Sequence, residues 1–117
     1  MTIAIFGTYK EWEVDVLKQA LPGHELTFIK ENVQHADLAR AANAEVVSLF
    51  VDSKIEEAEF AQLPKLKLTA TRSTGYDHID LAAAKARGIT VAYVPTYGEN
   101  TVAEYAFALL LCLSRKV

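Results

Sequence analysis

Short apolar runs alternate with segments of helical periodicity along the chain of 117 residues, and this alternation limits the fold more than any other feature. The apolar runs occupy residues 2–6, 25–29, 45–51, 67–71 and 89–94. The run at 45–51 is strongly β-branched and apolar, as a central strand is. Apolar residues recur at helical spacing over residues 11–21, 36–42, 53–63, 81–87 and 101–116. The pattern predicts an α/β protein with a parallel sheet.

The short connections allow only right-handed crossovers between parallel strands. We therefore predict a three-layer, doubly wound sheet of five strands in the order 2-1-3-4-5, which is the flavodoxin-like order. Two capping boxes are predicted at helix starts, Ser53 with Glu56 and Thr101 with Glu104. Asp80 is a good N-cap, and Gly88 stands where a helix C-terminus favours a left-handed residue.

The composition is that of an ordinary globular domain, with 51% hydrophobic and 23% charged residues. The net charge of -3 does not favour nucleic acid or an anionic membrane. No signal peptide is recognised, and the longest apolar run, residues 102–113, is shorter than the roughly 20 residues that span a bilayer. The single cysteine, Cys112, cannot form an intrachain disulfide and is expected to be a packed thiol. We predict a soluble cytoplasmic protein.

Several functions of this fold lack their motifs. No two of the five glycines form a G-x-G pair, so neither a dinucleotide fingerprint nor a P-loop is present. The loop at 7–10 is poor in the serine and threonine expected of an FMN-binding loop. A phospho-receiver would need an acidic pair after the first strand and a lysine after the fifth, and only Asp52 is in place.

The loop Ser73-Thr74-Gly75-Tyr76-Asp77 is the most suggestive segment, because ligands of open α/β sheets bind at the carboxyl ends of strands. Small residues and a glycine let backbone N–H groups converge on an anion. The composition alone favours the simpler interpretation of a tight turn in which Asp77 and Asp80 cap the next helix. The three histidines have no partners at metal-ligand spacing, so no metal site is predicted: His24, His35 and His78.

The last helix is unusually apolar, since Glu104 is the only charged residue between 102 and 113. A helix that is apolar on all sides is normally buried on all sides. It could pack on one face of the sheet, but we favour a missing partner, either further chain or another subunit. Folding back beside the fifth strand or pairing with a second chain would each shield it. We expect a compact domain that still forms a homodimer through residues 101–116.

Two linked motifs resemble the D-2-hydroxyacid dehydrogenase family. They are TATRSTGYDHIDLAAA at 69–84 and GITVAYVPTYGENTVAEYAFALLLCL at 88–113. The resemblance covers the last half of the chain in detail and the whole chain in element order. It is most similar to the D-lactate dehydrogenase-like members.

The resemblance implies a two-domain oxidoreductase that interconverts a small D-2-hydroxy acid and its 2-oxo acid with NAD. Residues 1–100 would be a flavodoxin-like substrate domain, and the helix 101–117 would lead to a Rossmann domain that this chain lacks. The catalytic residues and the glycine fingerprint would lie beyond residue 117. No catalytic residue is therefore assigned, and the chain alone is expected to be inactive and not to bind NAD tightly.

The resemblance assigns substrate binding to the backbone N–H groups of Thr74 and Gly75 and to Tyr97. It assigns cofactor contacts to Thr74 and Val102. His78 stands where the family often has asparagine, so it does not correspond to the catalytic histidine. We expect residues 73–75 to face a shallow cleft beside Tyr97 and Thr8.

A second class of function stays open. The chain could be a stand-alone flavodoxin-like domain, natural or engineered, that serves as a binding or fold-study module without catalysis. A G-x-G-x-x-G motif and a histidine encoded after Val117 would favour the enzyme, and a gene that stops at Val117 would favour the module.

Overall fold

A computed structural model describes residues 1–7 and 9–116. All strand pairs are parallel, and the sheet has the order β2-β1-β3-β4-β5. Its strands are β1 (Thr2–Phe6), β2 (Glu25–Ile29), β3 (Val46–Leu49), β4 (Leu68–Thr71) and β5 (Thr90–Ala92). The predicted flavodoxin-like strand order is confirmed.

Four α-helices connect or follow these strands within the described residues. They are α1 (Glu11–Ala20), α2 (Glu57–Ala61), α3 (Leu81–Ala86) and α4 (Glu99–Arg115). The step from β1 to β2 runs opposite to the steps from β3 to β5, so right-handed crossovers place α1 on one face and α2 and α3 on the other. The sheet is therefore doubly wound.

The main core lies on the face that α2 and α3 cover. Alternate side chains of the central strands point into it, including Phe6 and Leu49, where they meet Phe60 of α2 and Ala84 of α3. On the opposite face the cover is incomplete at the β5 end. The register aligns Ser48, Ala70 and Ala92 across three strands, and their exposure rises from half-buried to exposed toward β5.

Some predicted helix boundaries are wrong. The helix after β3 is capped by Glu56 with Glu59 rather than by Ser53 with Glu56. Ser53 is buried instead, and its hydroxyl accepts a hydrogen bond from the Val33 N–H at 3.4 Å. Helix α4 begins at Glu99 after Gly98, so the predicted box of Thr101 with Glu104 does not form.

Two further local features can be compared with the sequence. The segment predicted as an α-helix at 36–42 instead contains a short 3-10 helix at Leu38–Ala41, and another precedes it at Val33–His35. The end signals of α3 are confirmed. The Asp80 side chain accepts from the Ala83 N–H at 2.9 Å, and Gly88 has a φ of 69°. That left-handed conformation favours glycine.

Helix α4 does not fold back beside β5, contrary to one of the two expected arrangements. All of its residues are exposed. The radius of gyration is 17.2 Å, whereas a compact domain of this length has about 13 Å. Helix α4 therefore projects from the sheet, and the described residues leave its apolar side chains uncovered. The expected packed thiol is wrong for the same reason, since Cys112 is exposed.

The first prediction concerns the stability effect of Thr69, a buried polar residue of β4. Its side chain is fully buried in β4, and no group among the described residues hydrogen-bonds its hydroxyl. An unsatisfied buried hydroxyl destabilises the folded state, so Thr69→Val should raise the free energy of unfolding by about 1 kcal/mol. Urea denaturation would measure the change through the midpoint at constant m-value.

Thr71→Val is the matched control for that prediction. Thr71 is two residues along the same strand on the same face, but its hydroxyl is within hydrogen-bonding distance of Ser73 and His78. The same substitution should therefore lower the free energy of unfolding. Equal effects of the two substitutions would contradict the assignment of Thr69 as unsatisfied.

Candidate functional site

Two loops meet at the carboxyl edge of the sheet, residues 72–80 after β4 and residues 93–98 after β5. The first loop is held at both ends. The Val94 N–H donates to the Ser73 carbonyl at 3.0 Å, and the Ile55 N–H donates to the His78 carbonyl at 3.1 Å. A parallel bridge between Ile55 and Ile79 completes the second attachment. The loop is therefore held at one end by Val94, just after β5, and at the other by Ile55, in the segment before α2.

A buried string of hydrogen bonds lies inside this loop. The Thr71 hydroxyl is 2.6 Å from the Ser73 hydroxyl and 3.0 Å from Nε2 of His78. The Ser73 hydroxyl donates to the Gly75 carbonyl at 2.7 Å. The side chains of Thr71, Ser73 and His78 are all buried. Burial lowers the pKa of His78, and the Asp77 carboxylate opposes that shift, so the ring is neutral at pH 7.

The outer part of the loop has free backbone donors. Among residues 1–7 and 9–116, no acceptor takes a hydrogen bond from the backbone N–H of Thr74 or Gly75. Thr74 is half-buried and Gly75 is exposed. Unbonded neighbouring N–H groups at a strand's carboxyl end can bind a carboxylate or another small anion.

Three of the four residues predicted to bind ligand line one cleft. This cleft, which we call the α4 cleft, has a volume of about 490 Å³. It is lined by Thr74, Tyr97, Gly98, Glu99, Val102, Ala103 and Ala106. Gly75 is next to Thr74 in the chain but does not line the cleft. Thr8, which was also expected beside it, lies outside the described residues.

A neighbouring groove was not predicted from the sequence. It has a volume of about 460 Å³, and we call it the Arg72 groove. It is lined by Ala70, Thr71, Arg72, Ala92, Tyr93, Val94 and Tyr97. Tyr97 lines both cavities, so the two are adjacent. Tyr93 packs edge-to-face on Tyr76, with ring centroids 5.2 Å apart.

Arg72 gives this region a positive charge. Its Nη2 donates to the Phe6 carbonyl at 3.1 Å, and burial lowers its pKa while Glu13 raises it. A guanidinium stays charged in either case. The signal that could have identified Arg72 is its position, since a charged residue directly after a buried strand is placed at the ligand-binding edge.

The remaining candidates do not form a metal site. Among the described residues, no group of three or more His, Cys, Asp and Glu side chains could hold a metal ion. His24 lies beside the N-terminal amine, at 3.4 Å, and His35 belongs to a 3-10 turn. No helix in the part of the chain that the structure describes is long and apolar enough to cross a membrane.

In open parallel α/β sheets, ligands usually bind at the carboxyl ends of the strands, and both cavities of this α/β domain lie at that edge. The sequence profile described as D-isomer specific 2-hydroxyacid dehydrogenase, catalytic domain, matches residues 3–110. The chain belongs to this family.

Curated relatives and solved structures agree with this assignment. A 2-hydroxyacid dehydrogenase homolog of Zymomonas mobilis is 39% identical over all of this chain and 36% of its own length. The D-lactate dehydrogenase of Escherichia coli is 31% identical over the same shares. The D-lactate dehydrogenase of Aquifex aeolicus, solved with NAD and lactic acid, is 35% identical with a TM-score of 0.85, covering 94% of this chain and 33% of that one. The chain thus spans about a third of the length of these relatives.

Proposed function

We propose that this chain is the substrate-side part of an NAD-dependent oxidoreductase that interconverts a small D-2-hydroxy acid and its 2-oxo acid. The observation that carries the proposal is the α4 cleft, which brings together Thr74, Tyr97 and Val102. The family assignment supports the same reaction class, and the relative from Aquifex aeolicus was solved with NAD and lactic acid.

In this proposal the substrate carboxylate accepts hydrogen bonds from the backbone N–H groups of Thr74 and Gly75. Neutral donors suit this task because they hold the anion without forming a tight ion pair, and the nearby Arg72 adds a favourable potential. Tyr97 forms the wall that faces the substrate. Its exposure of 70% leaves it free to contact a ligand.

The cleft also fits the reactive end of the cofactor. Thr74 and Val102 lie on it together, and its lining is mainly apolar, which suits the nicotinamide ring. NAD accepts or supplies the hydride when it is bound. The chain has no glycine fingerprint for the pyrophosphate, so we propose that further residues hold most of the cofactor and that this chain binds NAD weakly.

The same proposal covers organisation and location. Residues 1–100 form the substrate domain, and residues 101–117 lead toward the NAD domain. Two chains pair through residues 101–116. The parent enzyme is cytoplasmic, and its catalytic residues follow residue 117.

The second prediction tests the carboxylate site in the 117-residue chain. Oxamate and D-lactate should bind weakly, with a dissociation constant of about 1 mM or higher, because only one side of the substrate clamp is present. Chemical-shift mapping should show perturbations at residues 73–77 and 97. D-Lactamide, which has no carboxylate, is the control ligand and should leave these residues unperturbed.

The same preparation should not oxidise NADH in the presence of pyruvate, since the groups that transfer protons are assigned to later residues. Shift changes that spare residues 73–77 and 97 would contradict the site. They would favour the second candidate, a non-catalytic binding module. The observation that favours this module is the buried core, which residues 4–91 form without α4. Turnover above background would contradict the assignment of catalysis to absent residues.

A further inference from the structure

The buried string under the 73–77 loop ends on a carbonyl, and this fixes the direction of every hydrogen bond in it. The Gly75 carbonyl can only accept, so the single proton of the Ser73 hydroxyl is donated to it. Ser73 must then accept from the Thr71 hydroxyl at 2.6 Å. The Thr71 proton is used in that bond. Thr71 must therefore accept from Nε2–H of His78 at 3.0 Å.

This direction determines the tautomer of His78. The proton of the neutral ring lies on Nε2, and Nδ1 has the lone pair. Nδ1 is 4.0 Å from the exposed Asp77 carboxylate, which is too far for a hydrogen bond. A second proton on Nδ1 would leave Nε2–H in place, so the string survives in either charge state of the ring.

The string of hydrogen bonds restrains the backbone of Gly75, the most flexible residue of the loop. Gly75 has no side chain and is exposed, so the peptide between Gly75 and Tyr76 could otherwise rotate freely. The described peptide bonds are all trans, so fixing the Gly75 carbonyl also fixes the Tyr76 N–H in the opposite direction. The bond from Ser73 Oγ to the Gly75 carbonyl also closes a ring through the Thr74 backbone. It thereby restrains the turn that has the unbonded N–H groups of Thr74 and Gly75.

We propose that His78 is a positioning residue for carboxylate binding, acting through Thr71 and Ser73 on the Gly75 peptide. This inference rests on the proposed function for its ligand, but the hydrogen-bond string itself does not. His78 suits the role because its side chain is 8% exposed and its carbonyl accepts a hydrogen bond from the Ile55 N–H. The Nε2–H donor is thus held in place by the backbone hydrogen bond of His78 and by the packing around its ring.

The first test is the tautomer in the free 117-residue chain. Long-range ¹H–¹⁵N spectra at pH 7 distinguish a protonated from an unprotonated ring nitrogen. We expect His78 to have its proton on Nε2. A ring with its proton on Nδ1 alone cannot donate to Thr71, and that result would overturn the proposal.

The second test compares oxamate affinity in three variants. His78→Phe keeps an aromatic ring but removes the donor, and we expect oxamate to bind about fivefold more weakly, as for the loss of one hydrogen bond. His78→Gln retains an N–H at a similar reach and should restore affinity to within about twofold of the original. Ile79→Val is the structural control, since it trims the buried neighbour of His78 without removing a hydrogen bond. It should lower stability and leave oxamate affinity unchanged.

Each outcome decides one of the two proposals. An unchanged affinity in His78→Phe, or an equal loss in Ile79→Val, would overturn the positioning role. If the original chain does not bind oxamate, the proposed carboxylate site is wrong. The amide chemical shifts of Gly75 and Tyr76 then test whether His78 positions the loop. Shifts that move in His78→Phe and return in His78→Gln support positioning of the loop, and unmoved shifts overturn it.

Discussion

The 117-residue chain is expected to sediment as a dimer at micromolar concentration, and a variant with four polar substitutions in α4 as a monomer. The variant combines Phe107→Gln, Leu110→Gln, Leu111→Gln and Leu113→Gln, whose parent side chains are 57% to 80% exposed. Glutamine preserves helix propensity. The substitutions therefore remove apolar surface from around α4 while keeping the helix.

The size of the effect follows from burial at the interface. Burying one leucine or phenylalanine stabilises an association by roughly 1.5–3 kcal/mol. Losing even 3 kcal/mol raises a dissociation constant by about 100-fold or more. Analytical ultracentrifugation over a range of concentrations would measure that shift.

The control removes exposed apolar side chains elsewhere. Trp12 and Val16 lie on α1 and are 60% and 53% exposed. A Trp12→Gln/Val16→Gln variant should remain a dimer. A strictly monomeric original chain with an ordered, exposed α4 would contradict the proposed pairing.

The architecture could be predicted because local patterns and chain connectivity agree. The five apolar runs become the five strands, and the right-handed crossover rule then leaves few strand orders. Asp80 and Gly88 were also correct helix signals, because a cap depends only on residues a few positions away.

The failures arise where distant residues compete for the same group. The Ser53 hydroxyl does not cap a helix because Asn32 and Val33, some 20 positions earlier, take its hydrogen bonds. No pattern around Ser53 reveals that competition. Helix α4 was predicted to need a cover, but its own sequence does not show whether that cover lies in this chain.

Some residues of the candidate site could be predicted from the sequence, and others could not. Thr74, Tyr97 and Val102 could be selected from the family motifs, and they do line one cleft. The position of Arg72 directly after a buried strand could mark it as a candidate, but its contact with the Phe6 carbonyl, 66 positions away, could not be predicted. The string beneath Gly75 joins residues only two to seven positions apart, but it depends on the path of the loop in three dimensions, which the sequence pattern does not give.

Phe60→Ala is expected to lower the free energy of unfolding by about 3–5 kcal/mol, the range for truncating a buried phenylalanine. Phe60 is fully buried, and it is the buried side chain of α2, which spans only Glu57–Ala61. A helix of that length is not stable alone. Its attachment to the sheet therefore depends on Phe60, and the truncation should remove a large part of the 5–15 kcal/mol that stabilises a typical domain.

Phe107→Ala is the matched control for that experiment and also tests the placement of α4. Phe107 is 65% exposed and belongs to a helix with no buried residue. Its truncation should change the free energy of unfolding by less than about 0.5 kcal/mol when measured below the dimer concentration range. Urea midpoints would compare the two variants. A loss for Phe107→Ala close to that of Phe60→Ala would mean that α4 packs on its own sheet in solution, and the interface proposed for two chains would then be unavailable for pairing.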